Sequence, residues 1–457
     1  MRKKVGEKMK CEKLINSNLR QVMSILNENG YEAYLVGGAV RSFLMGKEIQ
    51  DYDITTNASA EQIEKIFEKS CPTGKEFGTI TVLFNSEEYE ITTYRVDGNY
   101  SDGRHPDNVI FTRDLKEDLS RRDFTINAMC CDKEGELIDY FKGYEDLENK
   151  VIRAIGEPDK RFNEDALRML RAVRFMCQLD FSIEDSTYSS IKENYKLTEK
   201  VSVERINQEF TKILLSPVPS KGVRTLIDTG LMDYIVPEYY ETVGFEQHNP
   251  HHDKDVFDHS MEVLDNIEPV LNLRLAAFFH DICKPKCFTR SEDGRGHFYG
   301  HHIESAKLTQ DIMKRLRYSN DLIEDVCTLI RYHYLKEIEI GEKAVKRFIN
   351  NVGAERLEDL FKLNIADLSG KPKKVGDKNG YEKVETLRRK SREILDRKEP
   401  LSVKDLAVNG KDLIELGLKP GKEIGDLLDQ LLEIVLDKPE ENTKERLLSI
   451  IKEIKNK

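Results

Sequence analysis

The sequence has no run of about 18 apolar residues, which excludes a transmembrane helix. Its N-terminus, MRKKVGEKMKCEKL, is basic but lacks an apolar core, so it does not read as a secretory leader. None of the eight cysteines forms a C-x-x-C pair, which argues against a zinc ribbon or a disulfide framework. Reduced thiols in a cytoplasmic protein are expected instead. Internal repeats and low-complexity tracts are also missing. What remains is a chain of 457 residues, 34% charged and 39% hydrophobic, in the range of soluble globular proteins. At a prior of about 150 residues per domain it holds about three domains. The net charge of −11 argues against wholesale coating of nucleic acid but leaves room for a local basic track. One distribution is uneven. Nine of the ten histidines fall between residues 248 and 333, which marks that stretch as a metal-site candidate.

Periodicity predicts a helix over 12–29, a strand over 31–36 running into Gly37-Gly38, and a strand over 51–56. Ser59 with Gln62 reads as a capping box for a helix over 60–69. TITVLF (79–84) and EYEITTYR (88–95) read as a strand pair, 97–114 as a loop and 115–131 as a helix. A further strand pair is expected around 137–140 and 151–155. Beyond residue 160 only helical periodicity is found, broken at Pro217 and Pro219 and closed near Pro237.

Asp51 and Asp53 are two apart, so on a strand both carboxylates leave one face, an arrangement suited to a hard cation such as Mg²⁺. Gly37-Gly38 would let the backbone approach a triphosphate, with Arg41 on the helix that follows. Glu90 is the candidate third carboxylate of a two-metal platform. A lone D-x-D or G-G is weak, but the ordered set points to nucleotidyl transfer.

GGAVR (37–41), DYDITT (51–56), ITTYR (91–95), DGNYSDGRHP (97–106), RRDFTINAM (121–129), DYFKGYEDL (139–147), EDALRMLRAVRF (164–175) and SVERINQEFTKILLS (202–216) follow in order. Together they resemble the successive motifs of class II tRNA nucleotidyltransferases, the bacterial CCA-adding enzymes and their poly(A) polymerase relatives. That family usually carries Asp after GGxVR, where this chain has Ser42. The resemblance assigns Asp51 and Asp53 to metal ligation and Arg122 and Asp123 to the nucleotide ribose. It assigns Asp165 and Arg168 to the incoming base, with Arg171 on the same helix. A carboxylate beside a guanidinium matches the amino donor and ring-nitrogen acceptor shared by cytosine and adenine. Guanine and uracil would set a carbonyl against the carboxylate, at about 1–3 kcal/mol for each mispaired buried group.

Phe257-Asp258-His259, the doublet His280-Asp281, His301-His302, His333 and Asp367 resemble the HD phosphohydrolase superfamily. That resemblance implies His259, His280, Asp281 and Asp367 as ligands of a divalent metal, with His301 and His333 available for a second. Two basic tracks stand out. Residues 371–398 hold eleven Lys/Arg against five Asp/Glu, and residues 150–174 hold seven against four. Both are candidates for phosphate contacts.

The expected fold is α+β: a small mixed-sheet, palm-like nucleotidyltransferase head, then an all-helical neck, HD-type body and tail. The expected segments are 1–155 (head), 156–240 (neck, base reading and RNA binding), 241–370 (HD-type metal domain) and 371–457 (basic linker and helical RNA-binding tail). The expected function is template-independent addition of the tRNA 3′-terminal CCA, or its A, from CTP and ATP, with Mg²⁺ in the head. The alternatives are a poly(A) polymerase or A-adding enzyme and, in another class, a metal-dependent phosphohydrolase with a nucleotide-binding head. The expected partners are a tRNA 3′ end, CTP and ATP, with no membrane and no obligatory protein partner.

Overall fold

The computed structural model describes residues 11–49, 51–97, 109–248, 254–292, 294–335, 338–370 and 378–455. The chain divides into two compact units, Met1–Pro237 and Glu238–Lys457.

The first unit opens with α1 (Ser17–Glu28), capped by Asn16 accepting from the Leu19 N–H at 2.7 Å. It follows with β1 (Ala33–Val36), α2 (Gly38–Leu44), β2 (Asp53–Thr56) and α3 (Ala60–Ile66). Next come β3 (Ser70–Gly74), β4 (Thr79–Phe84), β5 (Glu87–Thr93), β6 (Arg95–Asp97) and β7 (Val109–Phe111). After α4 (Leu115–Ser120) come the two-residue strands β8 (Cys130–Cys131) and β9 (Leu137–Ile138). The main sheet has seven strands in the order β3-β4-β5-β2-β1-β8-β9. It is mixed: β1 and β2 are antiparallel, whereas β2 and β5 are parallel. The parallel pair needs a crossover, supplied here by α3, β3 and β4. Asn85 and Ser86 both have positive φ and form the two-residue hairpin turn between β4 and β5, with Glu87 already in the strand.

The Ser59–Gln62 capping box is present, but α3 stops at Ile66. The edge strand β3 that follows was not expected, because its exposed, polar residues carry no alternation. The helix expected over 115–131 is only the short α4. Asp123 draws the Phe124 N–H and the Asn127 side chain onto its own carboxylate, and such local bonds compete with a helix. The expected 97–114 loop is partly a ribbon, since β6 pairs with β7; residues 98–108 lie outside the described residues. The strands near 137 and 151 do not pair with each other. β9 joins β8, whereas β10 (Val151–Ile152) runs parallel to β11 (Ser182–Ile183).

Helices complete the unit: α5 (Gly143–Glu148), α6 (Pro158–Glu164), α7 (Leu167–Leu179), α8 (Asp185–Asn194), α9 (Val203–Leu214) and α10 (Pro219–Thr229). Pro219 sits in the first turn of α10, where its missing N–H costs nothing.

The second unit is helical: α11 (Val256–Asn266), α12 (Leu271–Phe279), α13 (His301–Arg315), α14 (Asn320–Tyr332), α15 (Glu342–Val352), α16 (Leu357–Ser369) and α17 (Lys378–Asp396). Between α12 and α13 runs a hairpin, β12 (Phe288–Arg290) with β13 (Gly296–Phe298), an exception to the all-helical expectation. Helices α18 (Gly410–Glu415), α19 (Lys422–Asp437) and α20 (Lys444–Lys455) close around a core of their own, which holds Leu413, Leu431, Val435, Leu447 and Ile451.

Gly143 tests how tightly the head is closed. A Cβ there would overlap the Thr125 carbonyl, so Gly143→Ala should destabilise the first unit by about 1–3 kcal/mol, read as a lowered thermal midpoint.

Candidate active site and candidate metal centre

β2 is the hub of the head site. Asp53 pairs with Val36 of β1 on one side and with Glu90 of β5 on the other. In-register partners of a parallel pair share a face, so the Asp53 and Glu90 carboxylates point the same way. Asp51 lies before the strand begins and is exposed, so the expectation of both aspartates within one strand holds only for Asp53. Burial raises the Asp53 carboxyl pKa, partly offset by Arg122, and Asp51 adds to the rise. Partial desolvation raises Glu90 as well, although the residue is exposed, with Asp53 and Asp51 adding to it. Clustered carboxylates that hold on to protons are short of positive charge, and a divalent cation would supply it.

Gly37 caps α2 at φ 77° and ψ −130°, a conformation essentially reserved for glycine. A Cβ there would come within 3.2 Å of an Arg122 guanidinium nitrogen and 3.8 Å of Asp53 Oδ2. The turn, the arginine and the aspartate therefore share one small volume. Burial lowers the Arg122 pKa, and its Nε has no hydrogen-bond partner. Arg41 extends from α2, donates to Asn127 Oδ1, and lies 4.9 Å above the Phe175 ring of α7.

Asp123 is engaged on both oxygens. Oδ1 accepts from the Phe124 N–H at 2.8 Å and from Asn127 Nδ2 at 2.9 Å. Oδ2 accepts from Arg171 Nε at 2.9 Å and Nη2 at 2.5 Å. Burial works against its ionisation, but Arg171 and Asn127 outweigh it and hold the carboxyl well below the usual range.

Asp165 and Arg168 do not share a helix face, contrary to expectation. Asp165 sits in the extended link between α6 and α7, where its Oδ1 accepts from the Leu167 N–H at 3.0 Å. Its other oxygen meets Arg205 of α9 at 2.9 Å. Arg168 is buried, bonded to Glu164 at 2.8 Å and to the carbonyls of Arg161 and Arg121 at 3.2 and 2.8 Å. Capping α7 with its own side chain is what takes Asp165 off the helix.

The second unit carries two triads of ligating atoms, each gathered within 4.8 Å: His259, His280 and Asp367, and Asp281, His301 and His333. Among the described residues, the head carboxylates form no such group. His259 Nε2 lies 2.9 Å from Asp367 Oδ1 and 3.7 Å from Asp281 Oδ2. Asp281 Oδ1 lies 3.5 Å from His301 Nε2 and 3.9 Å from His333 Nε2, so the two triads adjoin. Each ring turns its Nδ1 to a backbone carbonyl: His280 to Ala277 at 2.8 Å, His301 to Phe298 at 2.7 Å, His333 to Ile330 at 2.6 Å and His259 to Gly370 at 3.4 Å. A carbonyl only accepts, so Nδ1 carries the proton and Nε2 presents a lone pair inward. His280 Nε2 and both Asp281 oxygens have no well-formed hydrogen bond. Lone pairs facing one another in a buried pocket fit a bound cation. Burial lowers His301 to about 4 and His333 well below its usual value, both favouring the neutral form that ligates. His280 goes the other way: burial lowers it, but Asp281 outweighs that.

Lys284 was missed by the sequence reading. Its Nζ lies 2.7 Å from Asp281 Oδ2 and 3.0 Å from Gln247 Oε1. The missed residues of the first unit are Asn127, Phe175 and Arg205. Asn127 lies inside RRDFTINAM, which was the available signal. Of the expected basic tracks, residues 371–377 lie outside the described residues. On α17, Arg388 pairs with Glu385 and Glu358 and Arg389 with Glu393, and just past its end Arg397 pairs with Glu342, so much of that charge is met locally. Arg161, Arg171 and Arg174 are likewise paired, with Glu164, Asp123 and Glu209.

A Gly-Gly turn against a mixed sheet, with aspartate and glutamate in register on its parallel strands, defines the first unit as a nucleotidyltransferase head. Three family models match the chain: a poly(A) polymerase head domain over 33–153, a probable RNA and SrmB-binding site of polymerase A over 180–242, and a putative tRNA nucleotidyltransferase domain 2 over 301–451. The CCA-adding enzyme of Lactobacillus helveticus is 34% identical over 436 residues, covering 95% of this chain and 96% of that protein. That of Pediococcus pentosaceus is 35% identical over 443 residues, covering 95% and 97%. The crystal structure of the Bacillus stearothermophilus CCA-adding enzyme in complex with CTP matches with a TM-score of 0.71 and 28% identity, over 96% of this chain and 97% of that one. The chain belongs to the CCA-adding enzyme family of class II tRNA nucleotidyltransferases. Among the described residues, no helix is long and apolar enough to cross a membrane.

The Asp123–Arg171 pair yields a test. Asp123 is held below its unfolded value, so its stabilisation is complete above that value and lost as pH falls through the lower, folded one. Asp123→Asn should cost about 3 kcal/mol at pH 7, because it leaves a largely buried guanidinium unpaired. It should also flatten the loss of stability below about pH 4. Denaturant titrations at pH 7 and in acid check both.

Proposed function

We propose that this protein adds the 3′-terminal CCA to tRNA, using CTP and ATP without a template, in the cytoplasm. The observation that carries the reading is the in-register Asp53–Glu90 pair beside Gly37 and Arg122, in a chain similar to CCA-adding enzymes along nearly its whole length. That whole-length similarity favours CCA addition over an A-only enzyme. The loop DGNYSDGRHP, which by the family resemblance counts against a CC-only enzyme, lies almost wholly outside the described residues.

Asp51 and Asp53, with Glu90, would hold Mg²⁺, which supplies charge neutralisation at the triphosphate and acidifies the RNA 3′-hydroxyl. The 3′-oxygen attacks the α-phosphorus in line, a new O–P bond forms, and the bond to the bridging oxygen breaks as pyrophosphate leaves. Arg41 brings positive charge to the triphosphate, Gly37 and Gly38 leave room for it to approach, and Arg122 and Asp123 hold the ribose. Asp165 and Arg168, with Arg171, read the base; Arg205 and Glu164 hold the first two in place. The proposed segmentation is a head over 1–155, a neck over 156–240, a metal-binding body over 241–370 and a C-terminal RNA-binding tail over 371–457.

The buried triads favour a second activity: a divalent metal centre of the HD type, held by His259, His280, Asp281, His301, His333 and Asp367, that hydrolyses phosphoesters. Every candidate ligand comes from the second unit, so the two activities are separable.

Incubation with tRNA ending before CCA, with CTP alone, ATP alone or both, tests the first reading. Two added residues with CTP and three with both are expected; addition of A alone would replace it with an A-only enzyme. Asp51→Ala or Asp53→Ala should cut incorporation on the order of 1,000-fold, the scale of a lost transition-state contact. The same variants should keep any phosphoester hydrolysis. Conversely, the double change His280→Ala, Asp281→Ala should lower bound transition metal by elemental analysis and spare CCA addition. Unchanged metal content would make the histidines structural.

A further inference from the structure

Arg41 and Arg171 stand on different helices, α2 and α7, at opposite ends of one buried hydrogen-bond chain. Arg41 donates to Asn127 Oδ1, Asn127 Nδ2 donates to Asp123 Oδ1 at 2.9 Å, and Asp123 Oδ2 accepts from Arg171 Nε at 2.9 Å. Both guanidiniums also lie over the Phe175 ring, at 4.9 Å and 5.4 Å, which closes the chain into a loop. Asn127 is 6% exposed and bonds both to Arg41 and to Asp123, the partner of Arg171. A primary amide suits this place because it accepts from a cation and donates to an anion at once. Aspartate there would face Asp123 carboxylate to carboxylate, and an aliphatic side chain would break the chain at both ends.

The two ends face different parts of one nucleotide. Arg41 follows the Gly-Gly turn, and its Nε lacks a partner. Burial lowers its pKa to about 10, Asp123 offsets only part of that, and Arg174 and Arg171 add to the lowering, so the group is short of anionic neighbours. Arg171 lies three residues after Arg168 on α7, hence on the same helical face as a residue assigned to the base.

We propose that Asn127 is a positioning residue that couples the phosphate-facing Arg41 to the base-facing Arg171, so that the site answers to triphosphate and base as one event. The inference rests on the nucleotide site proposed above. An anion that draws the Arg41 guanidinium shifts Asn127, Asn127 shifts Asp123, and the bidentate pair with Arg171 carries the shift to α7. A buried network with no slack transmits such a displacement, because each member has one satisfactory arrangement. An asparagine that only filled space would lower stability and leave the two arginines energetically independent.

The test is a double-mutant cycle on the full chain, read as CTP affinity by titration calorimetry with Mg²⁺ and no RNA. Arg41→Lys, Arg171→Lys and the double variant are compared in the native background and in the Asn127→Ala and Asn127→Asp backgrounds. With Asn127 present, the double variant should lose less affinity than the product of the two single losses, by about fivefold or more. In both Asn127 backgrounds the losses should multiply to within about twofold. Asn127→Asp keeps an acceptor for Arg41, so it serves where Asn127→Ala does not fold. Multiplicative losses with Asn127 present, or the same coupling without it, would overturn the relay. C addition by the wild-type protein is measured alongside. Coupled binding without C addition would sink the proposed function and leave the relay standing, whereas C addition with independent arginines would do the reverse. Failure of the wild type to bind CTP would overturn both.

Discussion

The parallel pairing of β2 with β5 is the constraint on which the head depends. It brings Asp53 and Glu90 side by side; desolvation raises both carboxyl pKa values, with Asp51 adding to the rise at Asp53, and Asp53 and Asp51 adding to it at Glu90. Two partly desolvated carboxylates at one register position are unfavourable alone and become favourable when a cation enters. Much of the surrounding sequence keeps that place open. Gly37 adopts a backbone conformation closed to other residues, and a side chain there would press on Arg122 and Asp53. Arg122 beside Gly37 keeps a buried Nε without a hydrogen-bond partner.

Charge in the first unit is mostly internal. Asp123 with Arg171 ties the turn after α4 to α7, and Asp165 with Arg205 and Arg174 with Glu209 tie the α6–α7 link and α7 to α9. The residues assigned to nucleotide recognition are thus the same ones that brace α7 and its junction with α6. Selectivity and rigidity then come from one network, as expected where mispaired buried groups must cost enough to reject the wrong base.

The second unit solves a different electrostatic problem. Four imidazoles and two carboxylates converge in a buried pocket, and backbone carbonyls fix each ring with its Nε2 turned inward. Such groups would oppose one another without a cation among them. Lys284 beside Asp281 adds a further positive charge at the pocket wall. The tail has its own leucine-rich core, so Leu413, Leu427, Leu428, Leu431 and Leu432 serve packing.

The sequence by itself determined the class. Short motifs hold because the backbone around them is local: the Gly-Gly turn, the Ser59–Gln62 capping box, the Pro219 start of α10 and the His280-Asp281 doublet each need only a few neighbours. The α+β head followed by helices was legible from the change in hydrophobic period. The tertiary structure decided what depends on partners distant in the chain. Whether Asp51 lies inside the strand turned on where pairing with β1 begins, and β9 found β8 instead of a strand near 151. The helix expected through residue 131 gave way to side-chain bonds around Asp123 that periodicity does not register. Asp165 left its expected helix face to cap α7, and Arg205, far along the sequence, became its partner. Those outcomes depend on which donors and acceptors meet once the chain has folded, and a linear pattern of apolar residues carries no record of that.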